Sequence, residues 1–376
     1  MTTAPSTTPL PRWPVPLLLS HGSYTSSDSL HTHPTGPLHK TPLYSSQQSL
    51  PNLPVPSLSE TMGTMKDSML AVCESESEVA SVEADISAFT APDSPGVAAQ
   101  SALRDRAATA QESGTSWLQL WWNEQGYLIP RDPVVINVSY FFQFTRDSTA
   151  LTGPSRAASL LYQAALFRKS VASGSLSPES VGKTGDTKLC STAWKYMFNA
   201  CRLPRMEKDE YVLHDPSLHT HVVVMRNGHM YTFDFVDEYH DPLPLPRLEG
   251  LLRMCVERAD GDGKVPCVGV LTSQDRDTWA TDREHLLTVH DSIPDSLSLI
   301  ESSALIINLD STSPVSRSCA SSLLWHGAVP DPNRYFDKSV QVIVSDNGTA
   351  GLLGEHSMMD GMPMVREGER GGSFFV

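Results

Sequence analysis

At 376 residues, with 40% hydrophobic and 19% charged side chains, the chain carries enough apolar material for two or three ordinary domains or one large α/β body. Asp and Glu (43) outnumber Lys and Arg (28), and the formal net charge of −15 repels phosphate backbones and argues against nucleic acid as a partner. Six cysteines without a CxxC pair give neither a zinc site nor a disulfide framework, and no apolar run reaches the ~18–20 residues that cross a bilayer.

Residues 1–45 are rich in Pro, Ser, Thr and His, lack apolar periodicity and read as a disordered leader. A proline-punctuated extended stretch, "LPNLPVPSLSETM", leads into helical patterns over 59–75 and 79–90, with Ser59 and Thr61 as candidate caps. A third helix is predicted from Ala98 to Glu112, and "TSWLQLWWNEQGYL" follows as an aromatic-rich helix. "DPVVINVSYFF" is β-branched and aromatic and predicts an extended segment. Helices are then predicted over 154–173 and around 189–199. "HTHVVVMRNGHMYTFDFV" places two β-prone runs about an Asn-Gly pair, whose tolerance of positive φ predicts a hairpin. Helices over 246–257 and 275–289, a strand "CVGVLT" between them, and the strands "SALIINL" and "KSVQVIV" continue an α/β alternation. His214, His219 and His221 lack a supporting carboxylate motif and read as hairpin histidines rather than metal ligands.

Near the end, "KSVQVIVSDNGTAGLLGEHSMMDGMP" reads as strand, Asn-Gly turn, strand, so His356 falls where the second strand leaves the sheet. Gly354, Gly361 and Pro363 argue against one regular helix carrying both His356 and Asp360. An imidazole, with its ordinary pKa near ~6.5, accepts a proton from a hydroxyl or thiol at neutral pH while a carboxylate fixes its tautomer. H-x-x-x-D-G therefore suits a general base for acyl transfer. By itself the spacing is a weak signal, since histidine and aspartate fall at this distance often by chance and the carboxylate can simply brace the turn.

Five stretches carry more: "LPNLPVPSL", "WLQLWWNEQGYLIPRDPVVINVSYFF", "LCSTAWKYMFNACRLPRMEKDEY", "GVLTSQDRDTWATDRE" and "NRYFDKSVQVIVSDNGTAGLLGEHSMMDG". In content and order they resemble the choline/carnitine O-acyltransferase family, most closely its carnitine O-acetyltransferase branch, over residues 48–365. The resemblance implies an α/β fold, the first half of a two-domain CoA-dependent acyltransferase similar to chloramphenicol acetyltransferase, with a helical N-terminal part and a mixed sheet. It implies that residues 46–365 are the N-terminal part of that domain and that 366–376 diverge as a tail. It implies transfer of a short acyl group, acetyl foremost, between CoA and carnitine. His356 would be the base and Asp360 its orienting carboxylate. Trp122 and Tyr127 would lie near the carnitine pocket, where aromatic faces accept a quaternary ammonium. Acyl-CoA and carnitine enter as substrates, with no bound cofactor and no metal.

In that family the second half supplies most CoA contacts and the carnitine carboxylate ligands, and no such motifs follow Val365. The chain alone is therefore expected to turn over little and to self-associate through an uncovered domain face. An intracellular location is expected, with mitochondrion, peroxisome and cytoplasm undistinguished. Two other readings stay open: a non-catalytic short form that binds a partner, and an HxxxDG acyltransferase with a different acceptor.

Overall fold

The computed structural model describes residues 40–370, apart from 147, 148, 150, 183, 186 and 329–332. The described residues form two compact units, one built from 40–126 with 178–192, the other from 127–177 with 193–370. Most of the predicted leader, residues 1–39, lies outside the described residues. Its last part is ordered: Pro42–Tyr44 form a 3-10 turn that buries Leu43 and Tyr44, because proline presets the turn and two large apolar side chains follow it.

The first unit is helical. Helix α1 (Leu58–Leu70) is capped by Ser57, whose hydroxyl accepts from the Glu60 amide while Glu60 accepts from the Ser57 amide. The cap is thus Ser57 rather than Ser59 or Thr61, since only Ser57 has the glutamate three residues on. Helices α2 (Glu76–Thr90) and α3 (Pro95–Glu112) start on Ser75 and Ser94, whose hydroxyls accept from the Glu78 and Val97 amides, with Pro95 in the first turn of α3. Helix α4 (Gln119–Asn123) carries Trp121 and Trp122, and Trp117 precedes it. Trp117 donates its indole N–H to the Leu53 carbonyl at 2.9 Å, and the Arg106 guanidinium lies 4.1 Å from the Trp121 ring centre.

The second unit is built on a mixed sheet. "DPVVINVSYFF" is not extended throughout: α5 (Val134–Asn137) is one helical turn, closed by the Asn137 amide donating to the Pro133 carbonyl at 2.9 Å, and only then does β1 (Tyr140–Gln143) begin. Helix α6 (Gly153–Ala172) follows. The short hairpin β2 (Ser180–Val181) and β3 (Thr187–Lys188) belongs to the helical unit. The helix predicted around 189–199 is a 3-10 turn, Thr192–Tyr196, ended by Asn199 in the left-handed region (φ 55°), whose amide donates to the carbonyls of His219 and Ser302. Strands β4 (Ala200–Leu203) and β5 (Glu210–Leu213) pair with each other.

Strands β6 (His221–Arg226) and β7 (His229–Asp234) form the predicted hairpin, with Asn227 and Gly228 both at positive φ. A Cβ on Gly228 would lie 2.0 Å from the Val265 carbonyl oxygen, so the turn needs glycine for its approach as well as its φ. Helix α7 (Leu245–Asp262) comes next. "CVGVLT" is a 3-10 turn, Val268–Ser273, and not a strand. Gly269 packs directly against the Arg334 backbone, and the Thr272 hydroxyl donates to the Gly269 carbonyl at 2.6 Å, so β-branched residues here fill a buried turn.

Helices α8 (Arg276–Val289) and α9 (Ile293–Ser302), strand β8 (Ile306–Asp310), helix α10 (Arg317–His326), strands β9 (Val340–Ser345) and β10 (Ala350–Gly354), and helix α11 (Gly361–Arg370) complete the order. Part of α11 falls where no element is expected. Gly361 and Pro363 sit in its first turn, where a missing amide proton costs nothing.

The six-stranded sheet runs β1-β10-β9-β8-β6-β7, with β6, β8 and β9 parallel and the remaining pairs antiparallel. Alternate residues Val223, Met225, Ile306, Ile343 and Leu353 join apolar clusters with residues of α5, α9 and α10. Val222, Val224, Ile307 and Val342 are buried as well, and α6 and α7 pack on these strands. Burial on both faces explains why these strands read as continuous apolar runs. His356 emerges two residues beyond β10, beside the edge strand β1.

The three hairpin histidines pack together, with ring centres 5.3 Å apart for His214 and His219 and 6.2 Å for His219 and His221. Burial, aided by Lys338 and the neighbouring imidazoles, pushes His214 from the ordinary 6.5 to about 3. The folded state therefore resists a proton that the unfolded chain accepts, so stability present above pH 6.5 is lost as pH falls toward 3. In His214→Gln the loss between pH 7 and 4.5 should shrink by on the order of 2 kcal/mol, read from urea unfolding at the two pH values. Equal losses in parent and variant would contradict this.

Candidate active site

His356 stands on the loop between β10 and α11, and its side chain is 30% exposed. Nε2 lies 3.2 Å from Asp360 Oδ1, and Nδ1 lies 3.2 Å from the Tyr127 hydroxyl. An ionised carboxylate only accepts, so the neutral ring fits this setting with its proton on Nε2 toward Asp360 and its lone pair on Nδ1 toward Tyr127. Asp360 is the outermost member, its side chain 81% exposed. Tyr140 meets His356 edge-on with ring centres 4.9 Å apart, and its hydroxyl donates to the Asp360 carbonyl at 3.1 Å. Gly354 makes room for this ring, because a Cβ there would approach the Tyr140 ring to 2.9 Å. Tyr127 comes from a π turn, Glu124–Leu128, an irregularity that rotates its side chain relative to a regular helix.

Below His356 the polar groups are fully enclosed. Glu355 and Ser357, its two chain neighbours, are buried at 1% and 2% exposure. Ser357 donates its hydroxyl to Glu355, and its amide donates to Glu355 Oε2 at 3.1 Å. Arg202 donates Nη1 to Ser357 Oγ at 2.9 Å and to Glu355 Oε1 at 3.4 Å, Nη2 to the Tyr127 carbonyl at 2.7 Å, and Nε to Asp209 at 2.6 Å. Burial raises the Glu355 carboxyl, with Arg202 and Ser357 pulling the other way. Asp209 also accepts from Arg276 at 2.6 Å and from Arg131 at 3.1 Å. Asp337 accepts from Arg276 and from the Trp279 indole, both at 2.7 Å, so these scaffold residues form one buried ionic net reaching up to the site.

Of the residues singled out in the sequence, His356, Asp360 and Tyr127 are brought together. Trp122 belongs to the helical unit and is 60% exposed. Tyr140, Arg202, Glu355 and Ser357 were not singled out. For Glu355 and Ser357 the available signal is their adjacency to His356. For Arg202 it is an arginine in an apolar strand, "ACRL", ahead of Asp209.

The unit with this site is a mixed α/β body of the acyltransferase fold, and the model of the family described as choline/carnitine O-acyltransferase matches residues 53–370. The chain belongs to the choline/carnitine O-acyltransferase family. It is 29% identical over 334 residues to the mitochondrial carnitine O-acetyltransferase of Saccharomyces cerevisiae, covering 86% of this chain and 48% of the relative. It is 30% identical over 334 residues to the human carnitine O-acetyltransferase, covering 85% and 51%. It is also 28% identical over 346 residues to the highly reducing polyketide synthase ltbA of Aspergillus luteorubrus, covering 92% of this chain and 10% of the synthase. The chain thus spans about half the length of the carnitine acetyltransferases it matches. No described helix is long and apolar enough to cross a membrane.

Proposed function

We propose that this chain carries the base-bearing half of an acyltransferase that moves a short acyl group, acetyl foremost, between CoA and carnitine. The observation behind this reading is the partly exposed imidazole of His356, held between a hydroxyl and a carboxylate in a member of this family. His356 removes the proton of the acceptor hydroxyl as its oxygen attacks the thioester carbon. The carbon–sulfur bond then breaks and the proton passes from imidazole to the leaving thiolate, so the reverse reaction activates the thiol. Asp360 keeps the ring oriented and stabilises its protonated form. The Tyr127 hydroxyl stands on the Nδ1 lone pair, so an acceptor either takes its place or passes its proton through it. Tyr127 is the aromatic face offered to the quaternary ammonium beside His356.

Position supplies much of catalysis, and an imidazole without a fixed thioester and alcohol forfeits that gain. Residues 1–376 alone should therefore give less than about 1% of the turnover of the longest product the transcript encodes, assayed as free CoA released from acetyl-CoA with L-carnitine. Light scattering should show the chain alone associating, since even a few hundred Å² of uncovered apolar surface favours contact at ~25 cal/mol per Å². Full His356-dependent turnover by a soluble monomer of this chain would overturn that expectation.

The match to the polyketide synthase favours one second reading, because it covers more of this chain than the acetyltransferase matches do. Here the same base would deliver a synthase-bound acyl chain to a hydroxyl acceptor other than carnitine. Indifference to carnitine together with acylation of another alcohol would select it.

A further inference from the structure

We propose that Arg202 is the positioning residue of this site, holding His356 in register with Tyr127 and Asp360 through the residues on either side of it. The consequence for catalysis rests on the acyl-transfer reading; the geometry and its test do not.

Arg202 lies on β4 and is 1% exposed. Its guanidinium spans separate stretches of chain. Nη1 reaches Ser357 at 2.9 Å and Glu355 at 3.4 Å, which fixes the backbone on both sides of His356. Nη2 reaches the Tyr127 carbonyl at 2.7 Å, which fixes the residue whose hydroxyl faces His356 Nδ1. Nε is anchored on Asp209 at 2.6 Å, and Asp209 is itself held by Arg276 and Arg131. One planar fork thus sets the distance between the imidazole and its hydroxyl partner, from an anchor tied into the core. Lysine carries the same charge as a single point and cannot reach all of these acceptors together. Charge balance alone would require only Asp209 and Glu355, and does not account for the bonds to Ser357 and the Tyr127 carbonyl. A base displaced by about 1 Å loses on the order of 10²-fold in rate, which is the scale on which such positioning matters.

The test reads the imidazole directly. In the full chain labelled with ¹⁵N-histidine, with His356 assigned by the signal lost in His356→Gln, the parent should show two well-separated ring nitrogens, one protonated and one bare. In Arg202→Lys at least half of that separation should collapse as the ring samples both tautomers, and diethyl pyrocarbonate should modify His356 at least threefold faster. Ser357→Ala, which removes one arm and leaves the Asp209 anchor, should give a smaller change in the same direction. If Arg202→Lys fails to fold, Ser357→Ala decides alone. Parent-like nitrogen shifts and modification rates in Ser357→Ala and in any folded Arg202→Lys would overturn the proposal. Neither readout uses turnover, so absence of acyl transfer would count against the proposed function and leave this assignment standing.

Discussion

Asp337→Ala is expected to destabilise the sheet unit by about 3–5 kcal/mol, because it strips a fully buried guanidinium of one of its two carboxylates. Asp337 has no exposed surface and accepts from Arg276 Nη1 and from the Trp279 indole, both at 2.7 Å. Burial by itself would depress the Arg276 pKa, and Asp337 with Asp209 outweighs it and raises it. Alanine leaves Arg276 with Asp209 alone and leaves the Trp279 N–H without its acceptor in the core. Asp337→Asn keeps an oxygen for the indole and should lose distinctly less. Urea unfolding followed by tryptophan fluorescence measures both, and a loss below about 1 kcal/mol in Asp337→Ala would mean that the net is replaceable by water.

The largest kinetic effect is expected at His356. In the longest product of the transcript, His356→Gln should lower kcat by about 10²–10⁴-fold, the range that a positioned general base supplies. The fold should survive, because the imidazole is partly exposed while Glu355 and Ser357 beneath it keep their bonds to Arg202. The Michaelis constants should move much less than kcat, since the lost interaction develops as the proton transfers. Unchanged kcat in a folded variant would return His356 to the role of a turn-bracing histidine.

The hairpins were legible because Asn-Gly pairs flanked by β-branched runs encode their own geometry, and the loop position of His356 followed from the second of these hairpins. "CVGVLT" and the Val134–Asn137 turn misled because local β propensity says nothing about the neighbour that decides them. For the first it is the Arg334 backbone against Gly269, and for the second the Pro133 carbonyl under Asn137. In the site, His356 and Asp360 are linked by sequence spacing. Arg202 lies more than a hundred residues away and reaches Glu355 and Ser357, the neighbours of His356, only because β4 runs beside the segment that leads into β9. Tyr127 was singled out through its family motif, whereas its contact with Nδ1 depends on a π turn that no periodicity announces.

Following the acyl group gives the most direct test of acyl transfer to carnitine. Acetyl-CoA labelled in its acetyl carbons, incubated with the longest transcript product and L-carnitine, choline or water as acceptor, gives products distinguishable by mass. Labelled O-acetylcarnitine is expected as the main product, with one free thiol released per ester formed, and a fall of at least about 10²-fold in that ester for folded His356→Gln. Label reaching a different alcohol, or equal ester formation by the variant, would contradict it.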